Sequence, residues 1–174
     1  MKKSIFFVVF YLLISNYTIA QITSISIAVD GLTCSACSFA TQKSLLQLDF
    51  VADVQMDLNT NIALVTFKPD KKVSVQMLAQ KVMDAGFSVG SLTAVFNLDG
   101  INITSDNCFT YQGDKYRFLS VNDKKIAGKI NLKFVGEHFM RKKDFKHWKN
   151  VSKEPCKATD GSVPDATLYF VIPA

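Results

Sequence analysis

From Ser24 the chain alternates, with Ile25, Ile27 and Val29 set against Ser24, Ser26 and Ala28, the two-residue period of a strand with one buried face. Asp30-Gly31 breaks the alternation, and in SFATQKSLLQLDF the positions Cys37, Thr41, Leu45 and Leu48 fall on one helical stripe. Val54, Met56 and Leu58 then alternate with Asp53, Gln55 and Asp57. After Asn59-Thr60-Asn61, the residues Ala63, Val65 and Phe67 alternate with Ile62, Leu64 and Thr66, so the two runs predict a strand hairpin. Pro69-Asp70 ends it. Ser74 is placed to cap a second helix whose inward stripe is Val75, Leu78, Ala79 and Val82, and Gly86 can terminate that helix. Phe87, Val89, Leu92 and Val95 supply a last extended segment. Strand, helix, strand, strand, helix, strand within roughly seventy residues predicts an α+β fold of the ferredoxin-like βαββαβ kind, an antiparallel sheet with both helices on one face.

Beyond Leu98-Asp99-Gly100 the pattern is less regular. CFTYQGDKYRFLSVNDKKIAGKINLKFVG reads as three short strands broken at Gly113-Asp114 and Asn122-Asp123. MRKKDFKHWKNV reads as a short basic helix with Phe145, Trp148 and Val151 inward, and YFVI, ending at Pro173, as a closing strand. The expectation is a separate small β-rich domain over residues 99–174 with a short helix, an OB-like, partly open barrel, behind an N-terminal domain over residues 21–98.

Residues 1–20 follow a third pattern. Lys2-Lys3 precede an apolar run from Ile5 that stops near Ile14, and Thr18 and Ala20 occupy the −3 and −1 positions of a secretory cleavage site. Roughly ten apolar residues are too few to span a bilayer, which takes about twenty, so the expectation is an exported protein, periplasmic or secreted, with no stable membrane anchor after cleavage. Two of the +5 formal charges belong to this segment. The remaining excess is C-terminal, because residues 99–174 hold 13 Lys and Arg against nine acids while residues 21–98 hold five Lys and six Asp. Glu137, Asp144 and Glu154 interrupt the basic stretch, which reads as a solvated face; nucleic acid is not an expected partner of an exported chain.

The four cysteines carry the chemistry. Cys34 and Cys37, in GLTCSACS, sit where a loop becomes a helix, and a helix N-terminus stabilises negative sulfur and lowers the thiol pKa. Two soft thiolates with no His, Glu or further Cys in the loop select soft ions of low coordination number, Cu(I) first and Hg(II) by the same logic; zinc wants four ligands. GLTCSAC after a strand, the helix after it, VADVQMDLNTNIALVTFKP, and AGF after the second helix resemble the heavy-metal-associated domain family of copper chaperones, metal-ATPase N-termini and periplasmic mercury-binding proteins. The resemblance covers about residues 23–97 and implies that Cys34 and Cys37 bind Cu(I) or a related soft ion and pass it on by ligand exchange. A metal donor or acceptor protein, such as a metal-transporting ATPase or another chaperone, is the implied partner. It also implies supporting positions: Leu32 where the family usually has a core methionine, Thr33 beside the first cysteine, and Phe87 where the family has an aromatic or lysine beside the metal. Packing in the core is an equal reading of Phe87.

Thiol–disulfide exchange uses the same spacing and is the competing reading, although Thr33 stands where a thioredoxin-type site has an aromatic. A purely structural Cys34–Cys37 bridge would remove little chain entropy. No catalytic residues are expected. Met56 reads as core, and Met77 and Met83 as packing or surface. Cys108 and Cys156 are expected to pair, as export favours. The alternative is a second metal site built from His138 and Met140, two apart on one side of an extended segment, or from His147.

Overall fold

The computed structural model describes residues 22–69, 71–120, 128–151, 156 and 166–174. The expected export segment 1–20, the turn residue Asp70 and the break at Asn122-Asp123 lie outside these residues.

Strand β1 (Ser24–Asp30) buries alternate residues, and helix α1 (Ser35–Leu45) comes after a four-residue loop. Strands β2 (Val51–Asp57) and β3 (Ile62–Phe67) form the antiparallel hairpin. Its turn closes through Asp57, whose carboxylate accepts hydrogen bonds from the Asn59 N–H and the Thr60 hydroxyl, with Asn61 at φ 55. Helix α2 (Val75–Asp84) is capped by the Ser74 hydroxyl, which accepts from the Met77 N–H at 3.3 Å, and Gly86 leaves it at φ +89, a conformation that costs glycine nothing. Val75, Leu78, Ala79 and Val82 face the sheet, and Met77 is exposed. Strand β4 (Ser88–Asn97) completes the expected βαββαβ unit, in the order β2-β3-β1-β4.

β4 differs from its predicted pattern in one respect. Val95 is exposed and Phe96 is fully buried. A shift of register opposite Ala28 and Val29 lets Val89 and Leu92, three residues apart, both face inward; from Leu92 onward strict alternation carries Ala94 and Phe96 to the same face. Leu58, expected on an inward stripe, is exposed beyond the end of β2, and Met56 is half-buried against the core.

The C-terminal strands β5 (Cys108–Tyr111), β6 (Asp114–Phe118), β7 (Lys129–Val135) and β8 (Leu168–Pro173) do not close an OB-like barrel. They extend the first sheet into one of eight strands, ordered β2-β3-β1-β4-β7-β8-β6-β5. β7 pairs with the free edge of β4 from Thr93↔Lys133 to Asn97↔Lys129, and β8 lies antiparallel to β7 and parallel to β6. One hydrophobic core therefore runs from Val54 and Ile25 to Phe118 and Val171. At its C-terminal end Phe96 meets Tyr111 at 5.0 Å and Tyr116 at 5.1 Å, while Tyr116 stacks with Phe109 and Tyr169. Burial pushes the phenol of Tyr116 far up and that of Tyr169 up to about 12, so both stay neutral. The buried carboxylate of Asp114 accepts from the Thr167 N–H and pairs with Lys72 at 2.9 Å, tying β6 to the loop before α2. Cys108 and Cys156 are joined by a disulfide.

Helix α3 (Lys142–Trp148) buries no residue. Phe145 and Trp148 are half-buried, but Val151, expected inward, is 45% exposed because the helix has ended by then.

A shared core has two measurable consequences. Phe96→Ala is expected to cost about 3–5 kcal/mol and to lower the stability of both halves together, so urea unfolding monitored by near-ultraviolet dichroism and by Trp148 fluorescence should give coincident transitions. Separated transitions would contradict a single core. Replacing Cys108 and Cys156 by serine opens a loop with a sequence separation of 48 and should remove about 4 kcal/mol on the chain-entropy model, measurable by the same denaturation.

Candidate metal centre

The loop Gly31–Cys34 leaves β1 at a glycine with φ +96 and enters α1 at Cys34. Gly31 lies under the half-buried ring of Phe87, whose Cδ1 would stand 3.6 Å from a Cβ at that position. Phe87 thus packs on the root of the loop as well as on the core. Leu32 is buried at 7% exposure and plugs the sheet–helix core beneath the loop, while Thr33 and Cys34 are exposed at its tip. The side-chain amide of Asn61 donates to the Leu32 carbonyl at 3.4 Å, and the main-chain carbonyl of Asn61 accepts from the Val29 N–H at 2.9 Å. The hairpin turn therefore fixes the loop from one side. Sequence reasoning read Asn61 only as a turn former; its left-handed φ is the signal that this residue type was needed there.

Cys34 is the N-cap of α1. Its Sγ accepts from the Cys37 N–H at 3.2 Å, and its carbonyl accepts from the N–H groups of Cys37 at 3.1 Å and Ser38 at 3.2 Å. A backbone N–H directed at the sulfur from the positive end of a helix favours the thiolate. Cys37, one turn in, is half-exposed, and its carbonyl accepts from the buried Thr41 hydroxyl. The two sulfurs are bonded to each other, with the Cα atoms 5.2 Å apart. This is the closed, oxidised form, and two electrons and two protons convert it to the dithiol. A cavity of about 220 Å³ beside the pair is lined by Leu32, Thr33, Cys34, Ser38, Leu58 and Asn61. Among the described residues no cluster of three or more His, Cys, Asp or Glu could hold a metal. Two thiolates as donors would suit a soft ion content with two ligands, whereas zinc favours four.

His138 is exposed and Met140 is buried in the turn over residues 136–140, and both line a cavity of about 270 Å³ together with Glu137 and Arg141. His147 is exposed, edge-on to Trp148.

A family profile for the heavy-metal-associated domain matches residues 26–88. The periplasmic component of the mercuric transport protein of Pseudomonas fluorescens is 38% identical over 68 residues, spanning 39% of this chain and 74% of that protein. The chain belongs to the heavy-metal-associated domain family. Among solved structures, oxidised MerP from Ralstonia metallidurans is 38% identical, covering 38% of this chain and 93% of its own, with a TM-score of 0.35. A yeast copper transporter domain is 30% identical, covering 38% and 90%, with a TM-score of 0.35. The heavy-metal-associated domain of this chain carries both motif cysteines, and the matched span ends at the first residue of β4. Everything from there on, including the aromatic core, lies outside the matched residues.

One ion pair near the loop had no local signal in the sequence. Arg141 donates from Nε and Nη2 to the two carboxylate oxygens of Asp30, at 2.6 and 2.7 Å. These hydrogen bonds hold the Asp30 carboxyl below the ordinary aspartate range, against the opposing effect of burial, with the charges of Arg141 and Lys143 adding to them. A depressed folded-state pKa contributes stability above the unfolded value, which is lost as pH falls through the folded one. The stability difference between wild type and Asp30→Asn should thus be flat from about pH 5 to 8 and shrink below about pH 4. Urea denaturation across that range checks it; a difference that changes between pH 6 and 8 would assign it to another group.

Proposed function

We propose that this protein is an exported carrier of a soft metal ion, which it binds through the Cys34 and Cys37 thiolates and hands on by ligand exchange, with Cu(I) as its cargo. The observation that carries the reading is a cysteine pair at the N-cap and first turn of a helix, on an exposed loop, with no third donor nearby among the described residues. An incoming thiolate from a partner can reach a two-coordinate ion there without displacing protein. The first incoming thiolate makes the ion three-coordinate and one of the Cys34 and Cys37 bonds breaks; a second partner thiolate then replaces the other, so two new bonds balance the two lost. The helix end stabilises the thiolates at each stage. Leu32 keeps the loop seated, and Phe87 covers its root.

Hg(II) is the second reading, favoured by relatives that are named for mercuric transport. The same names, with the pattern of residues 1–20 and two disulfides among the described residues, support export. No helix among the described residues is long and apolar enough to cross a membrane. A metal-transporting ATPase or another thiol carrier is the kind of partner that ligand exchange requires. In an oxidising compartment the site captures metal only after Cys34–Cys37 has been reduced, or if metal arrives before the bond closes.

Anaerobic titration of the reduced protein with Cu(I) against a competing chelator tests the assignment, with Hg(II) in a parallel series. Wild type should take up one ion. Cys34→Ser/Cys37→Ser should lose at least about a thousandfold in affinity, as expected when both soft donors are replaced by hard hydroxyls. Equal affinity in the double variant would sink the reading. Greater tightness for Hg(II) than the thiolate pair of a small peptide shows would favour the second ion.

A further inference from the structure

We propose that Arg141 is a positioning residue for the cysteine loop, and that the C-terminal half of the chain acts on the dithiol site through it. This rests on the metal-carrier reading for its consequence, though not for its geometry. Asp30, the last residue of β1, lies four positions before Cys34 and immediately before the loop's glycine. Both of its carboxylate oxygens are taken by the Arg141 fork.

The approach is built from both sides. A Cβ on Gly90 would stand 2.7 Å from Asp30 Oδ1, so the carboxylate as placed lies directly against the bare backbone of β4 and would have to shift for any larger residue. Arg141 is itself held by its N–H, which donates to the Gly90 carbonyl at 3.3 Å, and by a bridge between Met140 and Ser91. The buried Met140 comes directly after Phe139, whose ring lies 6.1 Å from both Phe134 and Tyr169. In the turn that delivers Phe139, the ring packs closely on Gly136, where a Cβ would stand 2.6 Å from it and make it shift. A continuous path of contacts therefore runs from the aromatic core through Phe139, Met140 and Arg141 to Asp30 and the root of the loop.

A loop held at its root loses less conformational freedom on capturing an ion, and the gain appears chiefly as slower release. Loss of the latch leaves both cysteines and the helix end in place while loosening the segment between them and β1. The effect belongs to the pair, so removing either partner should produce it and removing both should add little.

The test is a double-mutant cycle with Arg141→Ala, Asp30→Asn and the double variant in the purified, reduced protein. Two readouts are taken: Cu(I) release to a chelator by stopped flow, and hydrogen exchange of the Leu32–Cys37 amides without metal. Each single variant should speed release about three- to tenfold, the range of coupling between neighbouring residues, and the double variant no more than the worse single. Arg141→Lys should recover part of the rate, as it keeps the charge and loses the fork. Loop amides should exchange faster while amides of β7 and β8 stay unchanged. Additive effects on release, or unchanged exchange in the loop, would overturn the proposal. If wild type took up no Cu(I), the carrier reading would fail by itself, and the exchange measurement would still decide the latch.

Discussion

β4 is hydrogen-bonded along both edges, to β1 through pairs that include Ile25↔Ala94 and Ile27↔Leu92 and to β7 through Ala94↔Leu132 and Phe96↔Ile130. Without β7 it would end the sheet and present a row of unpaired backbone groups. Its ten residues reach further than the βαββαβ unit needs, and the last of its inward side chains, Phe96, enters the aromatic cluster of the other half. The strand that closes the metal-binding domain is therefore also the strand on which the C-terminal half is built. Asp114 repeats the connection at a second place, pairing with Lys72 across the fold.

Much of the first half was legible because its signals are local. Alternation marked β1, β2 and β3, the Ser74 cap and Gly86 bounded α2, and the cysteines were placed at the start of a helix, where the structure has them. A β-bulge leaves no such trace: it moved Phe96 inward and Val95 outward, and only the pairing of β1 with β4 discloses it. The open sheet of the second half was missed for a related reason. Its strands were recognised one by one, but the parallel pairing of β6 with β8 joins Tyr116 to Tyr169, and no turn chemistry between them encodes that neighbour. Residues around the cysteines divide in the same way. Leu32 and Phe87 stood next to motif residues and could be singled out, whereas Asn61 reaches the loop across 29 positions and Arg141 reaches its root across 111.

A dithiol that carries soft ions faces opposite demands from its surroundings. Capture needs thiolates, which a helix N-terminus favours; in an oxidising compartment thiolate character also speeds disulfide formation. The Cys34–Cys37 bond and the Cys108–Cys156 bond thus differ in consequence. The second closes a long loop and constrains the unfolded chain, while the first spans two residues, stabilises little, and occupies both proposed ligand sulfurs while it lasts.

Ligand exchange adds a mechanical demand, since the tip must admit an incoming sulfur while the base must return each cysteine to the same place. The loop meets both by having different neighbours at its two ends. Thr33, Cys34 and Ser35 are exposed with solvent on the open side, so an acceptor can approach along the cavity beside Leu58 and Ser38. At the base, Leu32 is buried, Asn61 holds its carbonyl, Phe87 covers Gly31 and Arg141 grips Asp30. Three of these four supports lie within the span matched to the heavy-metal-associated family, and Arg141 does not. The C-terminal half of the chain thus contributes a support at the base of the loop from outside the matched domain.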